Sequence, residues 1–161
     1  MRSNIPKPPP IDHFWIVPGR LAGGGHPGRA GEQAAILHAM ERLGYDAILT
    51  LTEDALEPEP LAEYSFEYLH LPIFNMEAPT IEEGQRAVAF LRERIEAGGQ
   101  VYVHCYAGYG RTGAILAATW SPAAPARLPP SSVSAPCVPG QSRARHRSVV
   151  LDFDRHLRKA E

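Results

Sequence analysis

Residues 100–119 place a short apolar run, a glycine-bearing loop and a helix start in immediate succession, and this restricts the fold more than any other stretch. Gln100-Val101-Tyr102-Val103-His104 has the β-branched and aromatic content, and the length, of a buried strand. Cys105 to Gly110 follows as a tight loop, and Arg111 through Ala118 reads as helix. A strand feeding a helix through a short turn begins a crossover unit, in which the helix must pack back on the sheet.

Upstream the same alternation recurs. Phe14 to Val17 is a strand candidate ended by Pro18-Gly19. Gly23-Gly24-Gly25 and Pro27-Gly28 predict a flexible loop; no G-K-[ST] follows, so the glycines do not make a nucleotide phosphate loop. Gly31 to Leu43 predicts an amphipathic helix with Ala30, Ala34, Leu37, Met40 and Leu43 on one face and Gly44 as its stop. Asp46 to Leu51 predicts a buried strand, Glu53 to Pro60 an acidic loop broken by prolines, and Phe66 to Leu71 a strand ended by Pro72. Thr80 opens a T-x-x-E capping box with Glu83, followed by the stripe Ile81, Val88, Leu91 and Ile95 and the terminator Gly98-Gly99. Strands alternating with helices predict an α/β sandwich on a largely parallel sheet.

Composition sets the class of molecule. With 161 residues, 44% hydrophobic and 21% charged, the chain has enough apolar surface for one ordered domain. No apolar run approaches the ~18–20 residues that cross a bilayer. The start, with Arg2 and Lys7 among prolines, lacks the apolar core of a secretory signal, so a cytoplasmic location is expected. Cys105 and Cys137 are too few for a disulfide framework. Charge is uneven: residues 1–120 hold 9 Lys and Arg against 15 Asp and Glu, whereas residues 121–161 hold 7 against 3. Residues 1–11 read as an extended proline-rich arm and 12–120 as the α/β domain. Residues 121–146 are rich in proline and arginine and have no acid, which fits an irregular segment, genuine or read in a shifted frame. Residues 147–161 regain helical spacing through Val149, Val150, Phe153 and Leu157.

The loop between strand and helix is built for anions. A helix start presents unpaired backbone N–H groups and the positive end of the helix dipole. Gly108, Gly110 and Gly113 permit the close turns such a cradle needs, and Arg111 adds a planar fork that can hold two phosphate oxygens. The same field favours thiolate over thiol at Cys105, which makes it a nucleophile inside a phosphate site.

The run H-C-x5-R-T, from His104 to Thr112, resembles the signature of the cysteine-dependent protein tyrosine phosphatases, and Gly108-Tyr109-Gly110-Arg111-Thr112-Gly113 resembles its small dual-specificity branch. The similarity extends upstream through Trp15 to Gly23, Leu51-Thr52-Glu53 and His70 to Ile73, roughly residues 12 to 119. It implies a central, mostly parallel sheet flanked by helices and a metal-free, cofactor-free hydrolysis through a phosphocysteine. By the same resemblance Cys105 attacks phosphorus, while Arg111 and the amides of Tyr106, Ala107, Gly108, Tyr109, Gly110 and Arg111 hold the phosphoryl oxygens. Thr112 assists the sulfur as leaving group, and His104 orients the loop without acting as a base.

One position departs from the pattern. The family places an Asp about thirty residues before the cysteine to protonate the leaving oxygen, and thirty residues before Cys105 stands Asn75. An amide cannot deliver that proton, and losing a general acid costs ~10²–10⁴ in rate. Glu77 is the favoured substitute, with Glu53 and Asp54 as alternatives on the neighbouring loop. The expected function is phosphomonoester hydrolysis on phosphotyrosine, extending to phosphoserine and phosphothreonine; the alternative is a pseudophosphatase that binds phosphoproteins. The expected partner is a phosphorylated protein or a small aryl phosphate, with no nucleic acid and no membrane, and the oligomeric state is open. The loop interior from Tyr106 to Gly110 has no Lys or Arg, which disfavours polyphosphorylated substrates. Tyr106 and Tyr109 are either rim aromatics for an aryl phosphate or ordinary loop packing.

Overall fold

In the computed structural model the described residues are 11, 13–29 and 31–119. The expected proline-rich arm, the segment 121–146 with Cys137 and the helix at 147–161 lie outside them. Among the described residues five strands and four α-helices follow one another as β1 (His13–Val17), β2 (Leu21–Gly24), α1 (Gln33–Arg42), β3 (Ala47–Thr50), α2 (Pro58–Ala62), β4 (Glu67–His70), α3 (Ile81–Glu96), β5 (Val101–His104) and α4 (Gly110–Thr119). A short 3-10 turn, Pro27–Arg29, lies between β2 and α1. The strands form one mixed sheet in the order β1-β2-β5-β3-β4. Strand β1 pairs antiparallel with β2, and the other three pairings are parallel. The expected α/β architecture on a mostly parallel sheet is therefore present.

Each central strand is buried on both faces, so its alternate residues serve two cores. Leu21, Leu49, Val101 and Val103 meet Leu91 of α3 and Ile115 and Leu116 of α4 on one face. Ala22, Ile48 and Tyr102 meet Ile36, Leu37 and Met40 of α1 on the other. β5 lies between β2 and β3, so the loop after His104 emerges at the middle of the sheet's C-terminal edge. Among the described residues no helix is long and apolar enough to cross a membrane.

Three local expectations change. Gly23 and Gly24 belong to β2, a fully buried strand, where a flexible loop was expected. Their role is close approach: a Cβ at Gly23 would lie 2.7 Å from the Phe14 ring and 2.9 Å from Leu116 Cδ1. The acidic loop contains the short helix α2, because Pro58 stands at its first turn, where a missing N–H costs nothing. In α1 the buried positions are Gln33, Ile36, Leu37, Ala39 and Met40, whereas Leu43 is 55% exposed. Leu37 and Met40 are buried as expected and Ala34 is half-buried, while Ala30 lies outside the described residues, so the stripe is rotated toward the larger side chains. In α3 both halves of the capping box form, with the Glu83 amide donating to Thr80 Oγ1 at 3.2 Å and the Thr80 amide to Glu83 Oε2 at 2.8 Å.

Candidate active site

The loop from Cys105 to Tyr109 connects β5 to α4 and opens into a groove of about 1720 Å³. Its turn depends on Gly108, whose φ of +85° is strained for any residue with a side chain. Space demands it as well: a Cβ there would lie 2.4 Å from the Gly24 carbonyl carbon. The loop thus rests on the end of β2. His26 reinforces that seat by donating its amide to the Tyr106 carbonyl at 2.9 Å, and Tyr102 Oη donates to the Gly25 carbonyl at 2.8 Å.

Cys105 is 3% exposed, and the Gly108 amide donates to its sulfur at 3.3 Å. Burial pushes the thiol up, but the Thr112 hydroxyl and amide, the Gly108 amide and the Arg111 charge outweigh it, so its pKa lies below the ordinary 9.0. Thr112 Oγ1 is buried with no partner at ordinary hydrogen-bond geometry, and the group its hydroxyl acts on is the Cys105 sulfur.

His104 is fully buried. Its Nε2 meets Thr50 Oγ1 at 2.8 Å, and its Nδ1 lies 3.1 Å from the Cys105 carbonyl. Burial drives its pKa down to about 3, with the charges of His26, His70 and Arg111 adding in the same direction. The imidazole is therefore neutral at neutral pH, with both nitrogens occupied in holding the loop. Thr50 and His104 are register partners in the parallel pair β3–β5, so the bond ties the two strand ends beneath the loop.

Arg111 is 7% exposed and uses a single nitrogen to anchor itself. Nη1 donates to the Ile73 carbonyl at 2.7 Å, to Glu53 Oε2 at 2.8 Å and, more weakly, to the Leu51 carbonyl at 3.5 Å. Glu53 in turn accepts the Asn75 amide on Oε1 at 2.5 Å. Its own backbone amide, Arg111 and the Asn75 amide together hold its carboxyl at about 2. Glu53 is thus ionised throughout the working range and cannot serve as the proton donor that the sequence left open for it.

Asn75, Glu77 and Asp54 all reach the groove wall. The turn that carries Asn75 and Glu77 is closed by the Glu77 amide on the Phe74 carbonyl at 3.0 Å, with Met76 in the left-handed region at φ 68°. Tyr106 is 61% and Tyr109 39% exposed, both at the groove rim. Among the described residues no group of three His, Cys, Asp or Glu side chains is disposed to hold a metal.

Sequence reasoning missed the underside of the loop. His26 and Arg29, from the segment after β2, also line the groove. The signal was the pair Gly24-Gly25, which marks a place where two backbones approach.

Residues 22–121 match the model of the family described as a polymorphic toxin system DSP-PTPase phosphatase, Tc-R-P. The chain belongs to that family. It is accordingly a member of the cysteine-dependent protein tyrosine phosphatase superfamily, on its small dual-specificity side. The human dual specificity protein phosphatase CDC14A is 30% identical over 115 residues, which is 66% of this chain and 19% of CDC14A. The phosphatidylglycerophosphate phosphatase PTPMT2 of Arabidopsis thaliana is 33% identical over 81 residues, 48% of this chain and 36% of PTPMT2. The chain thus spans well under half the length of either relative. The crystal structure of Tk-PTP in its active form has a TM-score of 0.61 at 24% identity, covering 89% of this chain and 83% of Tk-PTP, a likeness of fold.

Proposed function

We propose that this chain hydrolyses phosphomonoesters, phosphotyrosine first among them, through a phosphocysteine at Cys105. The observation that carries the reading is the sulfur itself: buried, lowered in pKa, and receiving the Gly108 amide inside a loop closed by Arg111. All the Arg111 contacts engage Nη1, and among the described residues Nε and Nη2 make none, so one edge of the guanidinium remains for two phosphoryl oxygens. In the first step the thiolate forms an S–P bond as the P–O ester bond breaks, and the leaving oxygen takes a proton. In the second, water attacks phosphorus, the S–P bond breaks, and inorganic phosphate leaves Cys105 as thiolate. Thr112 stabilises that departing sulfur.

The proton for the leaving oxygen is the weak point. Asn75 has none to give, and Glu53 is held ionised by Arg111. Glu77 is the carboxylate on the same turn and the proposed donor. Phenolic leaving groups need the proton less than alkyl ones, which favours phosphotyrosine over phosphoserine or phosphothreonine. The family's description supports deployment of this hydrolysis within a polymorphic toxin system. The deciding experiment is hydrolysis of para-nitrophenyl phosphate, with mass analysis of quenched protein for a phosphoryl adduct on Cys105. The reading expects turnover that Cys105→Ser abolishes; equal turnover by Cys105→Ser overturns it.

Asn75 favours one second reading, a phosphate-binding module that captures phosphoproteins without releasing product. It expects no adduct and no turnover, together with phosphopeptide binding that Arg111→Met removes.

A further inference from the structure

We infer that Arg29, seated on the ring of Tyr106, is a specificity determinant that recognises a second anionic group flanking the phosphotyrosine. The inference rests on the phosphatase reading of Cys105 and adds a substrate preference to it. Three observations place Arg29 at the mouth of the site. It ends the 3-10 turn after β2 and lines the same groove as Cys105. Its guanidinium carbon lies 5.8 Å from the centroid of the Tyr106 ring, within cation–π range. A Cβ built on Gly25 would be 3.6 Å from Arg29 Nη1 and 3.4 and 3.8 Å from the carbonyls of Tyr106 and Ala107, so the side chain and the loop both border Gly25.

The two cations of the groove differ in their partners. Arg111 is paired with Glu53, whereas Arg29 has no carboxylate partner among the described residues. Arg29 is exposed, and the aromatic ring restricts its long side chain without consuming its N–H donors. A guanidinium held this way loses less freedom on binding and offers a fork matched to a carboxylate or a second phosphoryl group. Glu32, Glu53, Asp54, Glu57 and Glu77 also line the groove, so its field is mixed rather than uniformly positive. The second anion is placed on the Arg29 side of the phosphotyrosine. The loop interior between Tyr106 and Gly110 has no cation of its own, so Arg29 supplies from another element what the loop lacks.

The test compares phosphotyrosine peptides bearing Asp or Asn at the neighbouring positions, on one side or the other, with para-nitrophenyl phosphate as a flank-free reference. Values of kcat/KM are measured for the full chain, and Kd values for its Cys105→Ser variant, so that a preference is readable even with slow turnover. On one flank Asp is expected to be favoured about tenfold over Asn, the scale of one charge-assisted contact. Arg29→Ala should bring that ratio to about one, Arg29→Glu should invert it, and Tyr106→Leu should reduce it. No Asp preference on either flank, or a ratio unchanged in Arg29→Ala, overturns the inference while reference turnover leaves the phosphatase reading intact. Absence of reference turnover together with a flank preference in Kd upholds the inference and removes the hydrolytic reading. Absence of both turnover and phosphopeptide binding overturns the two together.

Discussion

At Thr112 a buried hydroxyl with no ordinary partner faces the Cys105 sulfur, so its contribution is confined to the thiolate and to the sulfur as leaving group. Thr112→Val removes the donor at nearly constant volume. The thiol pKa should then rise, and the acidic limb of the kcat/KM profile should move to higher pH, with kcat reduced further if phosphocysteine breakdown is limiting. An unmoved limb would show that the amides and Arg111 suffice. Asn75 supplies a second prediction at this scale, because on the proposed reading it stands where the family carries its acidic proton donor, and a carboxamide is too weak an acid for that role. Asn75→Asp is expected to raise turnover of an alkyl phosphate by about 10²-fold, with a smaller gain on para-nitrophenyl phosphate, and to add a basic limb to the profile. Glu77→Gln in the parent chain should depress the alkyl reaction more than the aryl one. If Asn75→Asp gains nothing while Glu77→Gln is inactive, Glu77 fills the role alone.

The elements show why part of this site was legible in the sequence and part was not. The segment from Val101 to Thr119 is local: strand, turn, capping glycine and helix follow one another, so the nucleophile and its cradle could be read along the chain. The capping box of α3 is local in the same way, and Thr80→Ala should cost about 1 kcal/mol in a thermal or urea melt while kcat stays within twofold. The seat of the cradle is not local. Gly108 touches Gly24 across more than eighty residues, and Thr50 reaches His104 only because β3 and β5 are neighbours in register. A sequence pattern reports periodicity but not which strands pair, so Gly23 and Gly24 looked like a loop. For the same reason Glu53 could be noted as a nearby carboxylate but not as the partner of Arg111. Gly108→Ala tests the contact: left-handed strain and overlap with Gly24 should lower both stability and turnover by more than tenfold. Gly23→Ala meets side chains instead of backbone, so it should cost about 1–3 kcal/mol and be partly restored by Phe14→Leu.

Across the whole molecule, the ties beneath the cradle also set how the fold responds to acid. His104 has an ordinary value of 6.5 and a folded value of about 3, because burial between the strands disfavours the imidazolium. Between those values the unfolded chain binds a proton that the folded chain refuses, so stability falls as pH drops through that window. His26, also lowered by burial, acts in the same sense. Glu53 follows at lower pH: its folded value of about 2 lies under the ordinary 4.5, so its stabilising pairing is complete above the latter and lost as pH falls toward the former. Acidification should therefore lower Tm in two stages, first through the histidines below pH 6.5 and then through Glu53 below pH 4.5. His104→Asn keeps a group able to meet Thr50 but cannot charge; it should lower Tm at pH 7 and flatten the upper stage while leaving the lower one. Glu53→Gln should also lower Tm at pH 7 but flatten the lower stage and leave the upper one, and because Glu53 fixes Arg111 and the Asn75 turn, it should weaken phosphate binding at pH 7 as well. A parallel Tm–pH curve for His104→Asn would mean that the buried imidazole does not govern the upper stage, and would return that role to His26. The same strand-end contact that holds the thiolate loop in place at neutral pH thus makes acid the condition under which the molecule first gives way.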